Sequence, residues 1–211
     1  PVDPETFRDT YQPYTPYVQI VGRNPFNFFD PAMGARVSIG DALRGINLQL
    51  FAGPGYTRES ELAVTGVDTE LYAQEAMGPF TLSAWRYAGS RPIPGSFDDR
   101  FERVGYGFTY GQWSRFSSET VYINGWDSNC AAPRLTGCTS TGGFEQLRQE
   151  LSRNVFAEAR YEWTQTPPAG LSHDGVLLLG YGPTENMRIT VENVFAASPP
   201  NTMNAQFTIA Y

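Results

Sequence analysis

The residues best placed to do chemistry in this chain are charged ones spaced two apart. Glu158, Arg160 and Glu162 alternate with Ala159 and Tyr161. Successive side chains of an extended strand point to opposite faces, so these three share one side. Arg36, Arg103, Arg148, Glu150, Arg188 and Glu192 hold further polar positions in alternating stretches. Two kinds of wall can be built from such residues. In one, the charges border a wet lumen, and facing rows of Arg and carboxylate set a transverse field that tunes which solutes pass. In the other, they fill a dry interior as a salt-bridge core, each desolvated charge compensated by a neighbour.

Other chemistry finds little support. His173 is the single histidine and is followed by Asp174. A general base beside an acid is a catalytic pattern, but adjacent residues do not point at one another, and there is no second His for a dyad. No catalytic residue, metal site or cofactor is therefore expected. Cys130 and Cys138 have seven residues between them in CAAPRLTGC, with no CxxC or Cys/His cluster. That excludes an ordinary zinc finger or c-type haem attachment site. The pair reads either as a loop-closing disulfide formed in an oxidising compartment or as two free thiols. The glycines at Gly53–Gly55 and Gly105–Gly107 precede no helix and carry no Lys, so they are not phosphate loops. Phe26, Phe28 and Phe29 fall in the stretch 23–31 without alternation. That loop either folds inward and narrows an opening, docks on a partner, or packs on a rim.

Composition sets the frame for these residues. Charged residues are 18% of the 211, below the quarter or so usual in soluble domains. Aromatics reach 14%, and 21 Gly with 16 Pro disfavour long helices. The net charge is −7, and all 15 basic residues are Arg. Scattered Arg outnumbered by carboxylates is not a polyanion-binding surface, which excludes nucleic acid as an expected partner. An Arg-only set suits fixed, paired positions, and composition bias explains it equally well. No run of 18 apolar residues is present, so no transmembrane helix is expected. A chain opening on Pro1 without Met is expected to be processed or partial, as a mature exported protein would be.

Period-two alternation dominates. Ala205, Phe207, Ile209 and Tyr211 oppose Asn204, Gln206, Thr208 and Ala210. Val104, Tyr106, Phe108 and Tyr110 oppose Arg103, Gly105, Gly107 and Thr109. Val155, Ala157, Ala159, Tyr161 and Trp163 oppose the Glu158–Arg160–Glu162 row. Stretches at 35–39, 46–50 and 187–195 repeat the pattern. Weaker candidates lie near 16–22, 69–77, 80–88, 114–125, 143–151 and 174–181, and the apolar face of 114–125 is ambiguous. The total is about twelve strands.

The connections alternate in length. Long ones at 23–32, 53–68, 89–101, 126–142 and 164–173 interleave with short ones at 41–45, 77–79, 111–113, 152–154 and 182–185; 196–202 closes the series. Tight turns on one rim and extended loops on the other are the layout of a membrane barrel. A soluble β-sandwich has no reason to sort its loops this way.

At residues 204–211 the chain resembles Gram-negative outer-membrane β-barrel proteins, and within them it looks most like porins. Such proteins tend to end on an aromatic residue preceded by alternating apolar ones, a signature read by the barrel-assembly machinery; Phe207, Ile209 and Tyr211 fit it. The resemblance implies an all-β fold: a membrane-spanning antiparallel up-and-down barrel over residues 14–211, with short periplasmic turns and long outer loops. It is either a small barrel or the C-terminal part of a larger one, with residues 1–13 as a periplasmic lead-in. Lipid offers no partner to backbone polar groups, so a spanning sheet must close. Apolar positions are then expected to face lipid, and Arg36, Arg103, Arg148, Glu158, Arg160, Glu162, Arg188 and Glu192 to line the pore. Tyr110, Trp113, Tyr161, Trp163, Tyr181, Phe195 and Tyr211 are expected in the interfacial girdles. The expected function is passive diffusion of small solutes or ions across the cell outer membrane. The alternative is a non-conducting scaffold that binds a homo-oligomeric or other outer-membrane partner.

Overall fold

Alternation alone says which residues share a face; strand pairing says which faces meet. The computed structural model describes residues 35–41, 45–54, 67–91, 99–111, 114–128, 137–166, 170–184, 187–196 and 201–209. Those residues form eleven strands in one sheet: β1 (Ala35–Gly40), β2 (Gly45–Pro54), β3 (Val67–Met77), β4 (Phe80–Arg91), β5 (Asp99–Tyr110), β6 (Phe116–Asp127), β7 (Cys138–Ser152), β8 (Val155–Thr166), β9 (Gly170–Thr184), β10 (Met187–Ala196) and β11 (Thr202–Ile209). Each strand pairs antiparallel with its neighbour in sequence, from β1 through β11. The topology is purely up-and-down. Among the described residues β1 and β11 each have one hydrogen-bonded neighbour, so the described sheet is not closed. The expected lead-in 1–13, strand 16–22 and Phe26–Phe29 loop lie outside the described residues.

From β2 to β10 each strand has 10 to 15 residues, and about 9–11 tilted residues cross a hydrocarbon core. The tight turns of one rim follow from local sequence. Gly78 has φ 62° and precedes Pro79 between paired Met77 and Phe80. Gly at the first central position is the arrangement of a two-residue type II′ hairpin, whose twist matches the flanking strands. Arg153 and Asn154 connect β7 to β8 on the same rim without a positive φ, beside a register shift between Glu150 and Ser152.

One connection differs from expectation. The stretch 164–173 is not a long loop: β8 runs to Thr166, β9 starts at Gly170, and only three residues intervene. Thr164, Gln165 and Thr166 pair with Ser172, Leu171 and Gly170. β-branched Thr favours the extended backbone, so the hairpin continues past the apolar stretch of both strands.

The sheet has two unlike faces. Leu48, Leu50, Leu71, Tyr106, Phe108, Leu177, Leu179, Val191 and Phe207 are exposed on one. Along β9, exposed Leu171, Leu177, Leu179 and Tyr181 span ten residue steps. That is about 33 Å of strand at roughly 3.3 Å per residue, or about 25 Å of height at a barrel tilt near 40°. Ring contacts gather toward the strand ends of this face. Phe80 meets Tyr110 at 5.2 Å and Phe108 at 5.9 Å near the short-turn rim; Tyr122 meets Trp163 at 5.7 Å nearer the other. Of the expected girdle residues, Tyr110, Tyr161, Tyr181 and Phe195 are exposed here and Trp163 is half-buried, while Trp113 and Tyr211 lie outside the described residues.

The opposite face is buried, and it is not purely polar. Trp85, Phe101, Ile123, Phe144, Phe156 and Leu178 lie on it, which corrects the expectation that apolar residues point only outward. Cross-strand glycine accounts for three of them. Trp85 is opposite Gly105, Phe101 opposite Gly89 and Phe156 opposite Gly180. A Cβ on Gly105 would collide with the Trp85 indole, one on Gly180 with the Phe156 ring, and one on Gly89 with Phe101 and the Asp68 carboxylate. Each ring therefore lies over a neighbour that lacks a side chain and covers its bare backbone. The aromatics are spread along the wall, and the charged side chains occupy the space between them.

Candidate functional site

The buried charges come from strand registers that the local sequence cannot specify alone. In β8, Glu158, Arg160 and Glu162 alternate onto the buried face, as their spacing requires. Pairing sets Arg148 of β7 opposite Glu158, Gln146 opposite Arg160, and Asp174 of β9 opposite Glu162. Leu178 of β9 is opposite both Glu158 and Glu192, which brings the β10 carboxylate into the group.

Arg160 sits at the centre. Its Nε donates to Glu162 Oε1 and its Nη1 to Glu158 Oε1 at 3.3 Å; its Nη2 lies 4.0 Å from Glu192 Oε2. Arg160 is 4% exposed, and all three glutamates are buried. The guanidinium fork can address several carboxylates from one fixed plane. Arg148 is turned onto the Phe156 ring, its guanidinium carbon 4.2 Å from the ring centroid. That geometry is a cation–π contact, which partly compensates for lost hydration.

A second group forms across β5 and β6. Arg103, 0% exposed, donates from Nη2 to Asp127 Oδ1 at 2.6 Å and from Nη1 to the carbonyls of Glu102 and Trp126 at 2.8 and 2.7 Å. Its guanidinium also lies 5.5 Å from the Phe101 ring centroid. Gly125 is opposite Arg103 and offers no side chain, so the long arm can cross it to reach Asp127. Farther round, Tyr87 donates to Asp68 at 2.6 Å and Tyr72 to Gln74 at 2.7 Å, and Glu70 is buried on the same face.

The eight residues expected to line a pore are placed as follows. Arg103, Glu158, Arg160, Glu162 and Glu192 are buried on the charged face, and Arg148 is half-buried there. Arg36 is opposite Phe51 in the β1–β2 register and is exposed. Arg188 pairs with Thr208, and its side chain lies outside the description. Glu150 is exposed near the end of β7. Phe207 is exposed on β11, Ile209 is placed by its backbone opposite Met187, and Tyr211 lies outside the described residues. Cys138 opens β7 opposite Asp127. Its side chain and Cys130 fall outside the description, and the expected disulfide with them.

Sequence reasoning missed Asp68, Glu70 and Asp127. Asp68 and Asp127 fall in the expected connections 53–68 and 126–142, yet they lie at the ends of β3 and β6: Val121, Ile123 and Asp127 are all buried on the face that carries Arg103. Extending the period beyond the last apolar residue would have found them. His173 is exposed and its ring is 6.2 Å from Tyr161, whereas Asp174 is opposite Glu162. The two neighbours occupy opposite faces of β9 and form no acid–base pair with each other.

Among the described residues the apolar face also carries charge: Glu75 and Glu145 are exposed on it, and Arg86 and Glu102 form a pair there. Arg86 Nε donates to Glu102 Oε1 at 2.5 Å, with both side chains partly exposed. Among the described residues no three His, Cys, Asp or Glu side chains form a group able to hold a metal ion.

No family model matches this chain, and no curated protein matches it. A solved porin structure, refined at 1.8 Å, does match, with a TM-score of 0.60 and 9% sequence identity. The match covers 82% of this chain and 59% of the porin chain, so the chain spans less than two thirds of that porin's length. At such low identity the likeness is one of fold: this is a porin-like, all-β antiparallel up-and-down sheet.

Proposed function

We propose that this chain forms wall of an outer-membrane porin-like barrel through which small solutes or ions diffuse passively. One observation carries the reading: a single porin-like sheet keeps an apolar face exposed and a charged face enclosed. A soluble protein gains nothing from presenting Leu48, Leu71, Tyr106, Leu177 and Val191 to water. Lipid would cover them, and the ring contacts near both rims would sit at the headgroup level. The charged face then borders the aqueous side, where fixed Arg and carboxylate groups act on passing solutes. In this reading the chain performs no catalysis, and the C-terminal strand with Phe207 is the segment handed to the barrel-assembly machinery.

The test is single-channel recording of the purified full chain in a planar bilayer. Stable ohmic steps are expected. A protein that inserts, with heat-modifiable migration, and yet stays silent would discard the channel reading.

A further inference from the structure

We propose that two copies of this chain associate side by side in the membrane through the outer faces of β4 to β7, with Arg86 of each copy paired to Glu145 of the other. The inference rests on the reading of the apolar face as the lipid-facing wall and adds a partner to that wall: a second copy, related by a two-fold axis along the membrane normal.

The outward positions change character across the sheet. Those of β9 include Leu171, Leu177 and Leu179. Those of β7 run Thr139, Thr141, Gly143 and Glu145 before Leu147, and Thr120 and Asn124 are exposed on β6. Arg86 and Glu145 both lie deep in this wall. Arg86 is six residues from Phe80 and Glu145 seven from Ser152, and Phe80 and Ser152 flank short turns of the same rim. The two charges therefore share one depth to within about one residue, roughly 3 Å. Glu75 differs: it stands two residues from Met77, at the rim, where headgroups and water can serve it.

Each of these charges is incompletely served within its own chain. Arg86 gives only Nε to Glu102, and its two Nη groups have no acceptor among the described residues. Exposed Glu145 has neither hydrogen bond nor ion pair among them. A lone charge at mid-depth on a lipid-facing strand is destabilising, and lipid chains offer it neither countercharge nor hydrogen bonds. The two side chains are complementary, and their placement fits a two-fold. Arg86 is on β4 and Glu145 on β7, with β5 and β6 between them, about 14 Å apart at the usual strand spacing. An axis passing outside β5 and β6 turns β4 of one copy toward β7 of the other. One contact then satisfies both pairs at once, as an isologous interface requires. Equal depth is the condition that such an axis imposes, and Arg86 and Glu145 meet it. At the centre stand Tyr106 and Tyr122, exposed and directly opposite each other in the β5–β6 register; aromatic rings of this kind anchor protein interfaces.

The experiment is disulfide cross-linking of the full-length protein in lipid vesicles, with Cys130→Ser and Cys138→Ser as background and heat-modifiable migration confirming insertion. Ala84→Cys and Leu147→Cys mark outward positions of β4 and β7 at matched depth, four residues from Phe80 and five from Ser152. A protein carrying both should oxidise to a species of two chains. Neither single variant should cross-link, because a two-fold keeps like positions apart. Glu145→Arg in the double-cysteine protein should lower the yield about tenfold or more, since like charges facing across an interface oppose association. Adding Arg86→Glu should restore most of it. A monomer alone would overturn the proposal and leave the wall to lipid. Three chains or a ladder would overturn the two-fold, and equal cross-linking by the single variants would overturn it too, as random collision. If a charge variant fails to insert, the double-cysteine protein with its native charges still decides. Ohmic steps from a protein that never cross-links would sink this proposal alone, whereas a silent protein that cross-links would remove only the channel reading.

Discussion

Arg160 and Tyr161 are adjacent in sequence and occupy opposite sides of one wall: the guanidinium is 4% exposed and the phenol ring's residue 49%. That relationship is the strand's period of two made physical. Repeated from β2 to β10, it separates an exposed apolar face from a buried charged one without any second layer among the described residues.

Arg160 donates to Glu158 and Glu162 and faces Glu192, so its loss should cost more than the loss of any one of these glutamates. Arg160→Ala leaves Glu158, Glu162 and Glu192 buried together, and a buried charge stripped of its partner costs about 3–5 kcal/mol. Glu192→Gln removes a carboxylate that accepts no hydrogen bond and should be neutral or mildly stabilising. Urea unfolding of the refolded protein in detergent or lipid vesicles, followed by tryptophan fluorescence, measures both. Equal destabilisation by the two variants would refute the central role of Arg160.

The glycines under the inner rings should be intolerant of even one methyl group. Gly105→Ala places a Cβ against the Trp85 indole, and overpacking of this kind costs about 1–3 kcal/mol. Gly175 has no atom near its would-be Cβ, so Gly175→Ala should stay within about 1 kcal/mol of the parent. Comparison of their urea midpoints checks the assignment; similar midpoints would show that the ring does not lie on Gly105.

Cys130 and Cys138 are proposed to close their loop by a disulfide. Thiol labelling of the folded, unreduced protein should then find no free thiol, and two after reduction and unfolding. Two labelled thiols before reduction would leave the loop open.

Much of this architecture is legible in the sequence, and the remainder fails for identifiable reasons. Val155 to Trp163 alternates so cleanly that the face of Glu158, Arg160 and Glu162 follows directly. In β6 it does not, because Val121 and Ile123 point inward while Tyr122 and Trp126 point outward, so both faces read as apolar. Inward Trp85 and Phe156 depend on Gly105 and Gly180 in neighbouring strands, a relation set by register and invisible to local periodicity. The same holds for the approach of Glu192 to Arg160 across Leu178. Asp127 was hidden by the turn-forming residues after it, which bias a local reading toward loop.

The most direct test of the two-faced wall is site-directed spin labelling of the protein in lipid vesicles, with Cys130→Ser and Cys138→Ser as background. Nitroxides at Tyr161→Cys and Leu177→Cys should be relaxed by oxygen dissolved in the bilayer. Nitroxides at Ser38→Cys and Gln49→Cys, polar-face positions of β1 and β2 that are exposed and half-buried, should be protected from oxygen and relaxed by a water-soluble nickel complex. The opposite pattern, or one response shared by all four positions, would contradict a wall with lipid on one side and an aqueous interior on the other.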